Sequence, residues 1–375
     1  MRKRRWRLSM LAVACILAAG VLLAACGDDD DDGGGGGGGG GDGGGGGSIA
    51  LLLPESKTAR YESQDRPNFE RKVQELCPDC DILYSNADQD AAKQQQQAEA
   101  AITKGAEVMV LDPVDAASAG AIVTRAKQSD IPVVSYDRLL TDADIDYYIS
   151  FDSVRVGEVQ GEALVQKLED EGDGDGTIVQ INGAPTDNNA KLFKQGAESV
   201  IGKSDLKVGK EYDTPDWSPD EAQQEMEQAI TALGKDGFVG VYAANDGTAG
   251  GAIAAMKSAG IDPSTRPTTG QDAELAAIQR ILADEQYMTV YKPIKPEAEA
   301  AAEIAVALVR GDDPPSGLVN SETDNGQEQV PTVLIKTVAV TKDNVQDTVI
   351  KDGFWKASEV CSGKYANACQ QAGIE

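Results

Sequence analysis

The sequence predicts an α/β protein of two doubly wound parallel-sheet lobes with Rossmann-like organisation. From Ser48 onward, short β-branched and aliphatic runs alternate with longer stretches of helical periodicity, the signature of βαβ units. The alternation runs through one series and then repeats. Length supports the pairing: 375 residues, 41% of them hydrophobic, exceed one typical domain and can fill two cores.

In chain order, Arg2, Lys3, Arg4, Arg5 and Arg7 precede an apolar run from Met10 to Ala25 that ends in Leu23-Ala24-Ala25-Cys26. This reads as a lipoprotein signal peptide over residues 1–25, with cleavage leaving an acylated Cys26. An uncleaved anchor is the alternative, against which the apolar run is short for a spanning helix. Either reading puts the bulk of the chain outside the cytoplasm, on the extracytoplasmic face of a cell membrane. After Cys26, residues 27–47 are only glycine and aspartate, so 26–47 is expected to act as a tether reaching on the order of 25 Å.

The first series places strands near 49–53, 81–84, 108–111, 133–136 and 148–150, with helices near 66–76, 90–104 and 117–128. The second places strands near 177–181, 207–212, 237–243 and 289–291, with helices near 154–168, 189–200, 220–233, 248–258 and 273–283. The Ala-rich run 296–310 is a strong helix closed by Gly311 and the Pro314-Pro315 stop. A strand-like run at 332–340 and a tail through Cys369 follow.

Composition removes several function classes. A net charge of −28 repels phosphate backbones and argues against nucleic acid as a partner. The absence of histidine removes Ser-His-Asp and Cys-His arrangements and His-ligated zinc. No cofactor is indicated: Gly247-Thr248-Ala249-Gly250-Gly251 lacks P-loop order, and the Gly/Asp run 171–176 lacks EF-hand spacing. Of the 6 cysteines, Cys15 lies in the expected signal peptide and Cys26 is the acylated one, which leaves Cys77, Cys80, Cys361 and Cys369. In an oxidising location these predict disulfides. Three connectivities are possible; the local bridges Cys77 to Cys80 and Cys361 to Cys369 are favoured over a zinc site or a redox CxxC.

Predicted strand ends are followed by polar clusters: 57–61, 136–138, 186–189, 244–247, 270–272 and 291–293. Each alone reads equally as turn and cap chemistry, and Asp246 before Thr248 reads as a helix start. Together they supply the carboxylates, amides and cations that hydrogen-bond vicinal hydroxyls. Tyr61 and Trp217 sit in polar, loop-like surroundings where a flat ring suits the apolar face of a pyranose.

At these clusters the chain resembles the xylose-binding branch of the periplasmic sugar-binding proteins of bacterial ABC importers. The resemblance runs from Ile49 to Val360 and is most specific at Tyr136-Asp137-Arg138, Asp187-Asn188-Asn189-Ala190-Lys191-Leu192-Phe193, Gly270-Gln271-Asp272-Ala273 and Met288-Thr289-Val290-Tyr291-Lys292-Pro293-Ile294. It implies the type I fold of that family, with lobes joined by a three-segment hinge. It implies crossings near 151–152, 291–293 and 321–330, so that 48–151 and 292–322 form the N-terminal lobe and 152–291 and 323–375 the C-terminal lobe.

It also implies a non-enzymatic function, the capture of a monosaccharide, D-xylose foremost, for delivery to an ABC permease. The implied ligand contacts are Arg60, Asp137, Arg138, Asp187, Asn189, Asn245, Asp272 and Lys292, with Tyr61 and Trp217 as stacking platforms. A monomer is expected, touching the membrane through its lipid anchor only. The sequence departs from the resemblance at Tyr61, where xylose binders commonly carry tryptophan, in the loop around it, which resembles the multiple-sugar-binding branch, and in its four late cysteines. Presentation of the sugar to a chemoreceptor or sensor kinase is the alternative role. A sugar-acting enzyme using Asp137 and Asp272 as acid and base is the remaining one.

Overall fold

The computed structural model describes residues 46–374. The expected signal peptide, Cys26 and residues 27–45 of the expected tether lie outside the described residues.

The N-terminal lobe begins with β1 (Ser48–Leu53), α1 (Arg66–Leu76), β2 (Asp81–Asn86), α2 (Ala91–Thr103), β3 (Val108–Leu111), α3 (Gly120–Lys127), β4 (Val133–Tyr136) and β5 (Tyr147–Phe151). The C-terminal lobe follows with α4 (Ser153–Glu171), β6 (Thr177–Asn182), α5 (Asn188–Ile201), β7 (Lys207–Asp213), α6 (Pro219–Leu233), β8 (Gly240–Ala243), α7 (Asp246–Ser258), α8 (Leu275–Leu282) and β9 (Met288–Tyr291). The chain then runs through α9 (Ile294–Arg310), β10 (Ser321–Asp324), β11 (Gln329–Ile335), β12 (Val338–Thr341), α10 (Ala357–Val360) and α11 (Ala366–Gln371).

The first sheet has seven strands in the order β10-β11-β5-β4-β3-β1-β2. Its central strands are parallel, with Leu51 of β1 opposite Tyr84 on one side and Val110 on the other. Alternate side chains of β1 serve opposite faces, as the two-residue period requires. Ile49, Leu51 and Leu53 pack with Phe69 and Val73 of α1 and Ile304 of α9, whereas Ala50 and Leu52 pack with Ala98 of α2 and Ile122 of α3. Helices on both faces make the sheet doubly wound.

In the second lobe, parallel strands run in the order β7-β6-β8, and β9 pairs antiparallel with β12. Bridges Val241↔Thr268 and Gln271↔Val290 tie the two groups together. One face buries against α4 and α5, through Val156, Leu164 and Phe193. The other buries against α6 and α7, through Met226 and Met256.

The α/β class and doubly wound sheets are as the sequence predicts. The third crossing is not where the sequence puts it. The run read as a single strand over 332–340 is two strands in different sheets: β11 pairs parallel with β5, and β12 pairs with β9. Residues 321–335 therefore belong with the N-terminal lobe, and the chain crosses at the exposed Lys336 and half-buried Thr337. Alternation reports which side chains are buried but not which sheet receives the backbone. The structure pairs Cys77 with Cys80 and Cys361 with Cys369, at Cα separations of 5.3 and 5.6 Å. Among the described residues, no helix is long and apolar enough to cross a membrane.

Candidate functional site: a cleft between the lobes

Strand ends from both lobes converge on one small cavity. The N-terminal lobe contributes Arg60 and Tyr61 from the turn after β1, and Asp137 and Arg138 from the turn after β4. The C-terminal lobe contributes Asp187 and Asn189 at the start of α5, Trp217 after β7, Asn245 after β8 and Asp272 before α8. Lys292 enters from the crossing after β9. Every ligand contact and stacking platform that the sequence proposed lies on this cavity. Thr58, Phe193 and Gln271 line it as well and were not singled out. Their signal was adjacency, since each lies within four positions of a proposed residue.

Local backbone sets these positions. Tyr61 opens a π-helical turn, Tyr61–Asp65, that leads directly into α1. Asp137 has φ 53° and Asp272 φ 91°, left-handed conformations that non-glycine residues rarely adopt and that turn each side chain out of its strand. Asp187 caps α5 by accepting from the Asn189 amide at 2.8 Å. Helix α7 starts at Asp246, as the sequence suggested, and its cap is Asn245, which accepts from the Thr248 amide at 2.9 Å. Asp246 is also buried, accepting from Gln286, Thr289 and the Glu274 amide at 2.8–2.9 Å.

Buried ion pairs organise the charge. The Arg60 guanidinium is shared among Asp65 at 2.6 Å, Glu297 at 2.6 Å and Asp137 at 3.0 Å. Arg138 faces Asp187 across the cleft, Nε to Oδ2 3.1 Å, as an ion pair without the alignment of a directed hydrogen bond. Asp112 and Glu55 stand farther off at 3.6 and 3.8 Å. Lys292 lies 3.0 Å from Asp272 and 3.7 Å from Asp137. Burial disfavours the Asp137 carboxylate, but Arg60, Lys292 and Arg138 outweigh it and hold the group well below the usual carboxylate range. Burial also disfavours the Lys292 ammonium, and Asp137 and Asp272 more than offset it, so its pKa is raised. Behind this layer, burial pushes the Asp112 and Glu297 carboxyls well up.

Contacts close the cleft directly. Asn189 donates its amide to the Asp137 carbonyl at 2.8 Å, leaving its Oδ1 buried without a partner. Gln271 Oε1 is likewise unpartnered, and Asp272 Oδ1 has the Lys292 ammonium nearby but no aligned hydrogen bond. Buried polar atoms normally find partners, so these are acceptors available to a ligand. Aromatic rings bound the same space. The Trp217 indole donates to Asp187 at 3.1 Å and meets Phe193 edge to face, while the Tyr61 hydroxyl donates to Asp137 at 3.1 Å.

Comparison with known proteins places this architecture. The family model for the periplasmic binding protein domain matches residues 49–313. The D-xylose-binding periplasmic protein of Escherichia coli K12 is 39% identical over 316 residues, covering 83% of this chain and 92% of the relative. A multiple sugar-binding periplasmic receptor of Rhizobium radiobacter is 30% identical, covering 84% and 92%. A Chloroflexus aurantiacus carbohydrate transporter solute-binding protein, solved with D-glucose, superposes with a TM-score of 0.74 at 30% identity, covering 83% of this chain and 97% of that one. A Clostridium phytofermentans ABC transporter solute-binding protein with bound β-D-glucose gives a TM-score of 0.76 at 28% identity, covering 84% and 99%. By its family match, its relatives and its two-lobed cleft, the chain belongs to the periplasmic binding proteins, in their type I sugar-binding branch.

Proposed function

We propose that this chain captures a neutral monosaccharide, D-xylose foremost, between its lobes and hands it to an ABC permease. The observation that carries the reading is the set of unpartnered acceptors, Asn189 Oδ1 and Gln271 Oε1, facing a cavity walled by Tyr61, Phe193 and Trp217. Sugar hydroxyls supply the donors these atoms need, and the rings cover the apolar C–H faces. The E. coli relative's D-xylose favours the pentose. Glucose in the Chloroflexus and Clostridium proteins supports a hexose as the second reading.

The same geometry disfavours hydrolysis. Hydrolysis needs one carboxyl that carries a proton; Asp137 is held ionised by Arg60 and Lys292, which leaves that role to Asp272, a carboxylate already paired with Lys292 at 3.0 Å. Residues Arg60, Arg138, Asp137, Asp187, Asn189, Asn245, Asp272 and Lys292 are assigned as polar contacts, with Tyr61 and Trp217 as ring contacts. Ligand bridging the lobes shifts the population toward the closed form, which the permease reads. Acylation at Cys26 keeps the protein at the membrane within reach of that permease.

Calorimetric titration with D-xylose, L-arabinose, D-ribose, D-glucose and D-galactose tests the reading. Saturable heat is expected, tightest for D-xylose; no saturable heat with any of them would discard it. Turnover of nitrophenyl glycosides would favour the enzyme instead.

A further inference from the structure

Asp272 and Ala273 are consecutive non-glycine residues in the left-handed region, φ 91° and 50°. Such a pair persists only where its surroundings hold it. Strand β9 holds their amides, and a further holding group comes from the C-terminal segment, past residue 313, where the family match ends. Trp355 donates its indole N–H to the Ala273 carbonyl at 2.7 Å. Its neighbour Phe354 meets the ring of Tyr291 edge to face at 5.1 Å, and Tyr291 immediately precedes Lys292. Asp272 and Lys292 are themselves paired at 3.0 Å. One short stretch thus touches the residue beside each partner of a cleft ion pair, by its carbonyl at Ala273 and by its ring at Tyr291.

The rest of the segment anchors that stretch. Val345, Val349, Val360 and Ile374 bury with Ile278 and Leu282 of α8 in one apolar cluster. Gln279 of α8 donates to the Val360 carbonyl at 3.1 Å. The Cys361–Cys369 bridge then closes the end of the segment, with Cys369 buried in the same cluster.

We propose that this C-terminal cap is a positioning device for the sugar site, with Trp355 fixing Asp272 through Ala273 and Phe354 fixing Lys292 through Tyr291. The inference rests on the proposed sugar-binding reading. Neither residue touches the cavity, so both act through others.

The test uses the full-length protein with Trp355→Phe, which keeps a ring and removes the N–H donor. D-xylose and D-glucose affinities by calorimetry should fall about fivefold, the loss of one modest hydrogen bond. In an Asp272→Asn background the same change should cost nothing further, because the residue being positioned has lost its charge. Unchanged affinity in the single variant, or full additivity in the double, would overturn the proposal.

A readout without sugar separates it from the function. The amides of Asp272 and Ala273 donate to Val290 and Thr289 at 2.9 and 3.2 Å. Their hydrogen exchange should quicken in Trp355→Phe and in Cys361→Ser with Cys369→Ser. Unchanged exchange in both variants would overturn the brace even if sugar binds. Quickened exchange in the variants, beside a wild-type protein that binds no sugar, would support the brace and sink the function.

Discussion

The indole of Trp217 lies so close to Gly183 that any side chain at 183 would overlap the ring. Trp217 also stands at φ 53° after Asp216 at φ 56°, so its turn is held by the ring's packing and by the bond to Asp187. Two outcomes follow at this scale. Trp217→Ala should weaken sugar binding by roughly tenfold or more, the value of one buried ring face. Gly183→Ala should weaken it too, although Gly183 does not line the cavity, by pushing the ring into the ligand's space. Calorimetry on both variants, with circular dichroism to show folding, decides the matter; a Gly183→Ala protein of wild-type affinity would mean the ring is not a ligand surface. Arg60, Asp137, Asp187 and Asp272 of the cavity lining were legible because turn chemistry and resemblance agreed at the same positions, whereas Thr58, Phe193 and Gln271 were not singled out. Glu297, which grips Arg60 at 2.6 Å, was not. It sits in an Ala-rich helix among other glutamates, where composition reads as a wet face, and only the packing of α9 on the sheet turns it inward.

Elements show the same division between local and non-local information. The predicted bounds of α1 agree with those observed, and α2 opens where Asp90 accepts from the Lys93 amide at 3.0 Å. Caps and periodicity are local, so they were readable. The crossing at Lys336 and Thr337 was misplaced because pairing of β11 with β5 spans nearly two hundred residues. Helix contact is similarly non-local. Gly157 of α4 and Gly196 of α5 face one another, and a Cβ on either would run into backbone, at Phe193 and Val154 respectively. Alanine gains about 1 kcal/mol of helix propensity over glycine. Overpacking against a carbonyl that cannot rotate away costs about 1–3 kcal/mol, so the clash wins. Gly196→Ala should therefore lower the melting temperature by about 2–4 °C for each kcal/mol of net loss, measured by scanning calorimetry. An unchanged or raised value would show that the helices separate without penalty.

At the scale of the whole molecule, buried carboxyls set how stability responds to pH. Asp246 is fully buried, and burial pushes its carboxyl up to about 7, even though Arg280 and Gln286 favour the charged form and Asp272 disfavours it. Nearby Glu274, raised to about 8 by burial and by Asp246, acts in the same direction and accepts from the Ala59 amide across the cleft at 3.4 Å. A carboxyl whose pKa is higher folded than unfolded adds stability below its unfolded value, and that stability is lost as pH rises through the folded value. For Asp246 the window runs from about 4 to about 7. Asp137 has the opposite sign, its pKa being depressed, so its contribution is present throughout this window and is lost only in strong acid. The net charge of −28 at pH 7 adds repulsion that also eases on acidification, which is why the comparison needs a variant. Asp246→Asn removes the titrating group while keeping an acceptor for Thr289. Wild-type melting temperature should fall from pH 4.5 to 7.5 more steeply than that of the variant, the curves converging at the acid end. Parallel curves would mean that Asp246 is ionised across the whole range and that its burial is compensated by its hydrogen bonds.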